Sequence, residues 1–449
     1  MHDAPLIHSY NPDDVLAWEA DGPRTAGRFL SDVTHLAEII PERPAVLNLL
    51  SSRYEFLVGF AAAILRGQLT LLPQSRAPDI LNDVASSYRD TYVLADADFE
   101  LDGFDCLHVP DLSSQVGPSK PVPSISLKQV VALAFTSGST GRPAPNRKTW
   151  GALVSVARAT GSRLGLTAKE RQAVVATVPH QHMFGLEASV MLPIQHGSVM
   201  HAGRPLFPED IRIALQEVPE VPLLVTTPLH LRACVAAKTH FPALSLVLSA
   251  TAPLTRELAL EAERTFRAPV HEIFGFAEAG SVASRRTMEQ EGWQPLAGVT
   301  LFQHKGAWTV QAAYLSSPVP FPDRIAVNEQ RGTFDLLGRT ADQVNIAGHR
   351  VSIGDLNARL LRIEGVRDGA FFLPDVEGDS ITRLIALVVA PGKSKEGILQ
   401  ELRRQIDPVF LPRPLLLVPQ LPRNETGKLP REALRKLVEQ YRIGCPDEA

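Results

Sequence analysis

The chain has 449 residues, more than one compact core usually holds, so two or more domains are expected. Its 45 Lys and Arg against 49 Asp and Glu give a net charge of −4, which argues against a nucleic-acid-binding protein because such proteins normally carry a basic excess. A hydrophobic content of 45% is enough to fill sizeable cores and excludes a largely disordered chain.

No part of the sequence predicts a membrane span or a secretory signal. The longest apolar stretch, FLVGFAAAIL, has ten residues, about half of the roughly 20 needed to cross a bilayer. The first residues, MHDAPLIHSYNPDD, carry acids and a proline where a signal peptide has basic and apolar blocks. The three cysteines form no CxxC pair, so neither a disulfide framework nor a zinc site is indicated. We expect a cytoplasmic protein.

The first elements along the chain predict a parallel sheet. AVLNLL is a strand candidate, and SSRYEFLVGFAAAILRG begins with a capping serine, continues as a helix and ends in a glycine. QLTLLP then reads as a second strand, which completes the strand-helix-strand unit of parallel sheets.

Further strand candidates alternate with helical patterns up to Gly338. They are TYVLAD, VVALAF, QAVVATV, LLVTT, LSLVLS and VHEIF. Their nearly continuous apolar character is typical of strands covered by helices on both faces. The sequence therefore predicts an α/β fold, with residues 1–338 forming a large domain of mostly parallel sheets flanked by helices.

The pattern changes after Gly338. A helical segment at 353–363 is followed by the strand ITRLIALVVAP, a second helical segment GILQELRRQI and the short run LLLVP. Residues 339–449 are therefore predicted to be a separate small α+β domain.

The segment FTSGSTGRPAPNRK follows the strand VVALAF and suits a polyphosphate. Glycines let successive backbone N–H groups converge on an anion, and the hydroxyls add donors. No Gly-Lys-Ser/Thr follows, so this is not a Walker A loop. A flexible surface turn is the alternative for this segment taken alone.

Further motifs follow in order, and with them the chain resembles the adenylate-forming superfamily of acyl and aryl-acid synthetases, adenylation domains and luciferases. The family's phosphate loop TSGSTGxPK corresponds to TSGSTGRPA here. FGFAEAG is similar to the family's YGxTE motif, GRTADQVNIAGHR to GRxDDxxKxxGxR, and NETGKLPR to the carboxy-terminal GK motif. PHQHMFG is similar to PxxHxxG, and SATAPL to GGAPL.

The resemblance implies two half-reactions that use ATP and Mg²⁺. A carboxylate attacks the α-phosphate to form an acyl-adenylate and pyrophosphate, and a thiol then takes the acyl group and releases AMP. It implies that Lys428 is the catalytic cation, carried by a small domain that is mobile about the Arg339–Asp342 region. Glu278 would hold the metal, and His182 would lie near the acyl pocket and the thiol tunnel.

The resemblance also assigns the nucleotide and thiol sites. Thr251, in SATAPL, stands where many relatives have glycine, and Gly348 and Arg350 would meet the thiol donor. The positions assigned to ATP or AMP are Thr136, Ser137, Gly138, Ser139, Thr140, Gly141, Thr251, Phe274, Gly275, Asp323 and Arg339.

A structural interpretation stays open for several of these residues. Lys428 has the features of an exposed lysine at a helix start, and Glu278 those of a helix-capping carboxylate. Phe274 could be a core residue, His182 a surface residue, and Asp323 lies in PFPDRIAV rather than in the family's TGD.

Four departures weaken the resemblance. The lysine of the phosphate loop is Ala144, the threonine of YGxTE is Ala277, and the hinge segment has Ala341 and Asn345 for an aspartate and the lysine. Lys148 follows four residues after Ala144 on the same face of an extended strand, about 13 Å farther on. The Lys148 side chain either reaches inward, or the positive charge of the usual lysine is missing from the site. A pseudoenzyme that binds adenylate without turnover is therefore the alternative function.

The acid and the thiol are less defined. The short region between the phosphate loop and the small domain favours a small or planar acid over a long-chain fatty acid. The chain is also similar to the compact ligases of aryl-polyene and xanthomonadin-type pigment clusters, which load 4-hydroxybenzoate or a related aryl acid onto an acyl carrier protein. CoA and a carrier protein present the same phosphopantetheine thiol, so both acceptors remain open.

Overall fold

The computed structural model describes residues 2–73, 76–109, 120–137, 143–289, 292–339, 343–346, 349–374, 383–424 and 427–443. The first strands are β1 (Asp3–Pro5), β2 (Val15–Glu19), β3 (Gly22–Thr25), β4 (Ala45–Asn48), β5 (Leu69–Leu72), β6 (Thr91–Ala95), β7 (Cys106–His108), β8 (Ser124–Ser126), β9 (Val130–Ser137) and β10 (Pro143–Thr149). The middle strands are β11 (Gln172–Ala176), β12 (Val199–His201), β13 (Val221–Thr226), β14 (Leu246–Ser249), β15 (Val270–Phe276), β16 (Gly280–Arg286) and β17 (Gln294–Pro295). The last are β18 (Val299–His304), β19 (Ala307–Ala312), β20 (Val319–Pro320), β21 (Asp323–Asn328), β22 (Thr333–Arg339), β23 (Gln343–Ile346), β24 (His349–Ser352), β25 (Asp368–Phe372), β26 (Ile385–Val389) and β27 (Leu415–Leu417).

The helices fill most of the connections between these strands. They are α1 (Ala26–Ile39), α2 (Arg53–Leu65), α3 (Pro78–Ser86), α4 (Trp150–Arg163), α5 (Met183–Gly185), α6 (Leu192–His196), α7 (Pro208–Glu217), α8 (Pro228–Ala237), α9 (Arg256–Phe266), α10 (Ile353–Leu360), α11 (Lys395–Gln405) and α12 (Arg431–Ile443). Between α5 and α6 the chain forms a π-helix, Leu186–Met191.

A six-stranded sheet has the order β10-β9-β5-β4-β6-β7. The pairs β4–β5, β4–β6, β5–β9 and β6–β7 are parallel, and only the β9–β10 hairpin is antiparallel. The predicted strand-helix-strand unit is thus confirmed as β4, α2 and β5. The side chain of Ser52 caps α2 by accepting from the N–H of Glu55.

A nine-stranded sheet has the order β17-β16-β15-β14-β13-β11-β12-β2-β3. Its central strands, from β15 to β2, are all parallel. The apolar sequences of β11, β13, β14 and β15 predicted such strands, whereas β12 and β2 were not predicted. Helix α2 is almost wholly buried and packs in the core near one face of this sheet. Its apolar run, which resembles a short membrane segment in composition, is therefore part of the core. Within the described residues no helix combines the length and the apolarity that a bilayer crossing requires.

Short antiparallel pairs follow the large sheet. The sequence did not predict β18 to β22, whose strands mix apolar and polar residues and are only partly buried. They pack on a cluster of aromatic residues around Phe321 and Phe334.

The carboxy-terminal part has its own sheet and cores. Strands β25, β26 and β27 form a three-stranded sheet flanked by α10, α11 and α12. The elements α10, β26, α11 and β27 follow the predicted succession, whereas β25 and α12 were not predicted. The two apolar clusters of this part contain only residues from 351 onward. That a separate small domain begins at residue 339 stays a prediction.

Candidate active site

The phosphate-loop candidate connects β9 to β10, which pair as antiparallel strands. Residues Gly138, Ser139, Thr140 and Gly141 lie outside the described part of the chain, and of Thr136 and Ser137 only the backbone is described. Ala144 pairs with Thr136 in the hairpin, and Lys148 pairs with Ala132. The loop therefore joins the ends of two paired strands, and the first of these is the apolar strand that was expected before the loop.

Lys148 points inward and joins the two large sheets. Its side chain is 4% exposed, and its Nζ donates a hydrogen bond to the carbonyl oxygen of Ala277, at the end of β15. Burial lowers the pKa of Lys148, while the carboxylates of Glu187 and Glu278 act in the opposite direction. Of the two alternatives that the sequence left open, the structure shows the first: the Lys148 side chain reaches inward and its amino group lies at Ala277, next to Glu278, although Ala144 replaces the usual lysine.

Glu187 is a buried acid that the sequence analysis missed. It lies in the π-helix and is 5% exposed, and its Oε2 accepts hydrogen bonds from the N–H and Oγ of Ser281 at 3.1 and 2.6 Å. Burial raises the pKa of Glu187, and the hydrogen bond from Ser281 and the charge of Lys148 oppose this rise. The signal in the sequence was a lone acid within the apolar run GLEASVMLPI.

The Glu278 turn follows β15 and is shaped by Gly275. A Cβ atom at Gly275 would lie 2.6 Å from the carbonyl oxygen of Gly280, so the strand pair closes only with glycine there. Glu278 is exposed at this turn. Phe274 is half-buried and stacks on Phe321 with ring centroids 5.7 Å apart, which is the packing expected of a core residue. Its contact with adenine stays a prediction.

Thr251 and Gly427 bring the carboxy-terminal part to the edge of the large sheet. Thr251 follows β14 with a φ of 78°, a left-handed conformation that is strained for a β-branched residue, and its buried Oγ1 has no hydrogen-bond partner among the described residues. A Cβ atom at Gly427 would lie 3.5 Å from this Oγ1 and 3.8 Å from that of Thr227. Lys428 follows directly and is exposed. Two motifs separated by about 175 residues of sequence thus meet, and strain at Thr251 is typical of a functional site.

Hydroxyl groups line the same edge. Thr177 and Thr227 flank the imidazole of His230, whose Nδ1 lies 3.2 and 3.0 Å from their Oγ1 atoms. Thr177 also bonds Thr226 at 3.0 Å. Burial lowers the pKa of His230 to about 4, so this imidazole is neutral at physiological pH. These residues follow β11 and β13, and the carboxyl ends of parallel strands are the usual place for ligand sites in α/β sheets.

The two histidines of PHQHMFG have different environments. His180 is 2% exposed, packs on Phe56 with ring centroids 4.5 Å apart and donates from Nε2 to the carbonyl oxygen of Leu50 at 2.9 Å. Its pKa lies well below the ordinary value because it is buried. His182 is partly exposed at the start of α5. His180 is thus a packed core residue, whereas His182 is only partly buried.

Two residues assigned to the nucleotide site lie opposite each other in a hairpin. Asp323 at the start of β21 pairs with Arg339 at the end of β22. For Arg339 and Arg350 only the backbone is described, and Arg350 lies on β24 opposite Asn345. Gly348, Ala341 and Asp342 lie outside the described residues.

In the residues that the structure describes, no group of three or more His, Cys, Asp and Glu side chains is arranged to hold a metal ion. A single exposed carboxylate such as Glu278 nevertheless fits Mg²⁺, which is usually bound by one or two carboxylates together with substrate phosphates and water. The donor set thus fits a metal that arrives with a nucleotide.

Comparison with known proteins identifies the family of the chain. The model of the AMP-binding enzyme family matches residues 60–304. A 4-coumarate–CoA ligase from Halorhodospira halophila is 29% identical over 318 residues, which cover 66% of this chain and 73% of that ligase. An acetyl-coenzyme A synthetase from Mycolicibacterium smegmatis is 32% identical over 115 residues, but these cover only 24% of this chain and 12% of the synthetase.

Solved structures share the fold. The o-succinylbenzoate CoA synthetase from Bacillus subtilis, in complex with its acyl-adenylate intermediate, superposes with a TM-score of 0.79 at 16% identity over 97% of this chain and 99% of that chain. ATP-bound MatB from Rhodopseudomonas palustris gives a TM-score of 0.81 at 17% identity, covering 96% and 97%. The fold is therefore that of the adenylate-forming enzymes, as the motifs predicted. The chain belongs to the family of AMP-binding enzymes.

Proposed function

We propose that the protein is an ATP-dependent acid–thiol ligase. In the first half-reaction a carboxylate oxygen of the acid attacks the α-phosphorus of ATP, the bond to the β-phosphate oxygen breaks, and pyrophosphate leaves. In the second a thiol sulfur attacks the acyl carbon, the thiol proton is lost and AMP leaves. The observation that carries the proposal is the close approach of Gly427, which precedes Lys428, to Thr251 at the edge of the nine-stranded sheet where the Glu278 turn also lies.

Lys428 supplies the mobile positive charge in this proposal. Its turn is closed by two hydrogen bonds with Asn424, from the N–H of Lys428 to Oδ1 at 2.9 Å and from the N–H of Asn424 to the carbonyl oxygen of Lys428 at 2.8 Å. An ammonium group on a long, flexible stem can reach between a carboxylate and a phosphate. Charge develops on the phosphate oxygens during transfer, so a cation positioned there lowers the barrier.

Glu278 holds Mg²⁺ in this proposal, and the metal neutralises charge on the phosphates when it is bound with ATP. Lys148 fixes the turn that carries Glu278 through its bond to Ala277. The buried ammonium also compensates in part for the missing lysine at position 144 and the missing threonine at position 277. This support argues against the alternative of an adenylate-binding pseudoenzyme.

The remaining roles follow the motif assignments. We propose that Asp323 and Arg339, which face each other across β21 and β22, bind the ribose. We further propose that residues 339–449 rotate after adenylation so that Gly348 and Arg350 meet the thiol donor, with His182 near the acyl pocket. Rotation suits the chemistry because Lys428 must withdraw before a thiol can approach the acyl carbon.

An aryl acid is the substrate class that we propose, with 4-hydroxybenzoate as the first candidate and fatty acids as the second. The alignment over most of the chain is with a 4-coumarate ligase, and structural relatives include o-succinylbenzoate and anthranilate CoA ligases. Either CoA or the phosphopantetheine of an acyl carrier protein, as in pigment clusters, would be the acceptor. We place the reaction in the cytoplasm, where ATP and both acceptors are supplied.

The proposal is tested by carboxylate-dependent pyrophosphate release from the purified protein with ATP and Mg²⁺, across aryl and fatty acids. ATP binding is measured in parallel by calorimetry. Release that depends on one acid supports the ligase and identifies the acid. Binding of ATP without release on any acid of the panel contradicts it and supports the adenylate-binding pseudoenzyme.

A further inference from the structure

An ion pair connects the large sheet domain to the carboxy-terminal part. Nη1 of Arg232 on α8 lies 3.4 Å from Oδ2 of Asp368, the first residue of β25. The Asp368 side chain is only 9% exposed and that of Arg232 is 30% exposed. Such a pair is shielded from water far more than two mobile surface charges, so its geometry is well defined.

Asp368 simultaneously holds Arg423 in a two-pronged contact. Nε of Arg423 donates to Oδ2 at 2.8 Å, and Nη2 donates to Oδ1 at 2.7 Å. The N–H of Gly369 donates to Oδ1 at 2.9 Å. One carboxylate thus lies between two guanidinium groups, and the Arg423 pair is complete without Arg232.

Arg423 carries the connection onward to the catalytic lysine. Its remaining Nη1 donates to the carbonyl oxygen of Gly427 at 2.6 Å. Gly427 in turn lies against Thr227 and Thr251. The path from α8 to Lys428 therefore consists of two ion pairs and one hydrogen bond.

Both ends of this path depend on α8. Thr227 is the N-cap of α8, and Arg232 lies further along the same helix. Burial lowers the pKa of Arg232, with Asp368 raising it and Arg423 lowering it. The carboxylate of Asp368 thus keeps two like charges together. Loss of Arg232 would remove one ion pair between the two parts of the chain and leave the Asp368–Arg423 pair in place.

We propose that Arg232 is a positioning residue for adenylation: through Asp368 and Arg423 it holds the Gly427–Lys428 turn at Thr251. The inference rests on the proposed function, since Lys428 is taken to serve the first half-reaction. Arg232 itself contacts neither Lys428 nor the reacting atoms, so its effect appears only through the placement of that turn.

The test compares Arg232→Gln and Arg232→Lys with Arg212→Gln, a control on α7 whose partner is Glu209 of the same helix. Removing one partner of a partly buried ion pair should lower acyl-adenylate formation about tenfold, whereas thiolysis of a preformed acyl-adenylate should stay unchanged. Arg232→Lys should recover part of the loss because it keeps the charge. Arg212→Gln should change neither half-reaction.

A double substitution separates positioning from a general structural effect. If Arg232 acts through Lys428, adding Arg232→Gln to Lys428→Ala should cause no further loss of adenylation. The inference is overturned if Arg232→Gln lowers both half-reactions equally, or if it lowers adenylation by the same factor with Lys428 present or absent.

Hydrogen–deuterium exchange provides a readout that does not need activity. Peptides covering 423–430 and 245–255 should exchange faster in Arg232→Gln than in the wild type or in Arg212→Gln. If these peptides exchange faster in Arg232→Gln but the wild type releases no pyrophosphate, the proposed function is refuted and the contact made by Arg232 is supported. Unchanged exchange together with normal adenylation would refute the role of Arg232 alone.

Discussion

Arg53, the first residue of α2, is the buried charge whose removal has the most clearly defined consequence. It is fully buried and lies between the ends of β11 and β12, near the loop that carries His180 and His182. All five of its N–H donors are used. The acceptors are Ser189 Oγ at 3.0 Å and the carbonyl oxygens of His201 at 2.7 Å, Gly203 at 2.8 Å, Ala176 at 3.3 Å and Val178 at 3.2 Å.

Arg53→Lys should lower the free energy of unfolding strongly. Burial lowers the pKa of Arg53 to about 9, so the guanidinium is charged at neutral pH and its hydrogen bonds are charge-assisted. An ammonium group has three donors, so at least two of the five acceptors lose their partner. At about 1–3 kcal/mol for each buried group left unsatisfied, the expected loss is about 2–6 kcal/mol.

Urea unfolding followed by tryptophan fluorescence measures this loss. The matched control is Arg66→Lys at the other end of α2, where the arginine pairs with the exposed Glu42 and the change should stay within about 0.5 kcal/mol. A loss for Arg53→Lys as small as that of the control would refute the reasoning, because it would mean that these carbonyls find other partners.

Three further predictions concern the site. Gly427→Ala should slow pyrophosphate release several-fold, because a φ of 76° strains alanine beside Thr251 by about 1 kcal/mol. Gly392 has a φ of 82° and open space around it, so the control Gly392→Ala should lower stability without slowing pyrophosphate release. Lys148→Met should raise the KM for ATP and lower the adenylation rate by a factor of about 100, as removal of one charge-stabilising group does; wild-type kinetics in this variant would contradict the role of the buried ammonium. The pKa of His230 is lowered from 6.5 to about 4, so the unfolded chain binds a proton that the folded chain does not, and the free energy of unfolding should fall as the pH drops from 6.5 to about 4. Urea titrations across that interval should show a smaller fall in His230→Asn, and identical slopes would be evidence against the shift.

The elements that the sequence predicted are those whose pattern is local. The strands β4, β5, β6, β9, β11, β13, β14 and β15 are continuous apolar runs, and α2 has a capping serine, so neighbouring residues were enough to identify them. The hairpins from β18 to β22 were missed because their strands mix apolar with polar residues and so lack a continuous apolar run.

The site was predicted less completely because its contacts are long-range. The spacing of Ala144 and Lys148 placed them on one face of a strand, but which face is buried depends on the sheet that packs against it. Arg232 pairs with Asp368, and Glu187 pairs with Ser281. The partners in each pair lie about 100 or more positions apart in the sequence, so composition does not predict either pair. The motifs, by contrast, did identify the turns at Thr251, Glu278 and Gly427 that the fold brings to one edge.

The most direct test of the account compares the two half-reactions in Lys428→Ala, with Lys436→Ala on α12 as an exposed-lysine control. Acid-dependent ATP–pyrophosphate exchange and thiolysis of a preformed acyl-adenylate are measured on the same preparations. The account predicts that Lys428→Ala loses exchange by a factor of about 100 or more and keeps thiolysis, while the control keeps both. Equal loss of the two half-reactions, or exchange that persists without Lys428, would contradict it.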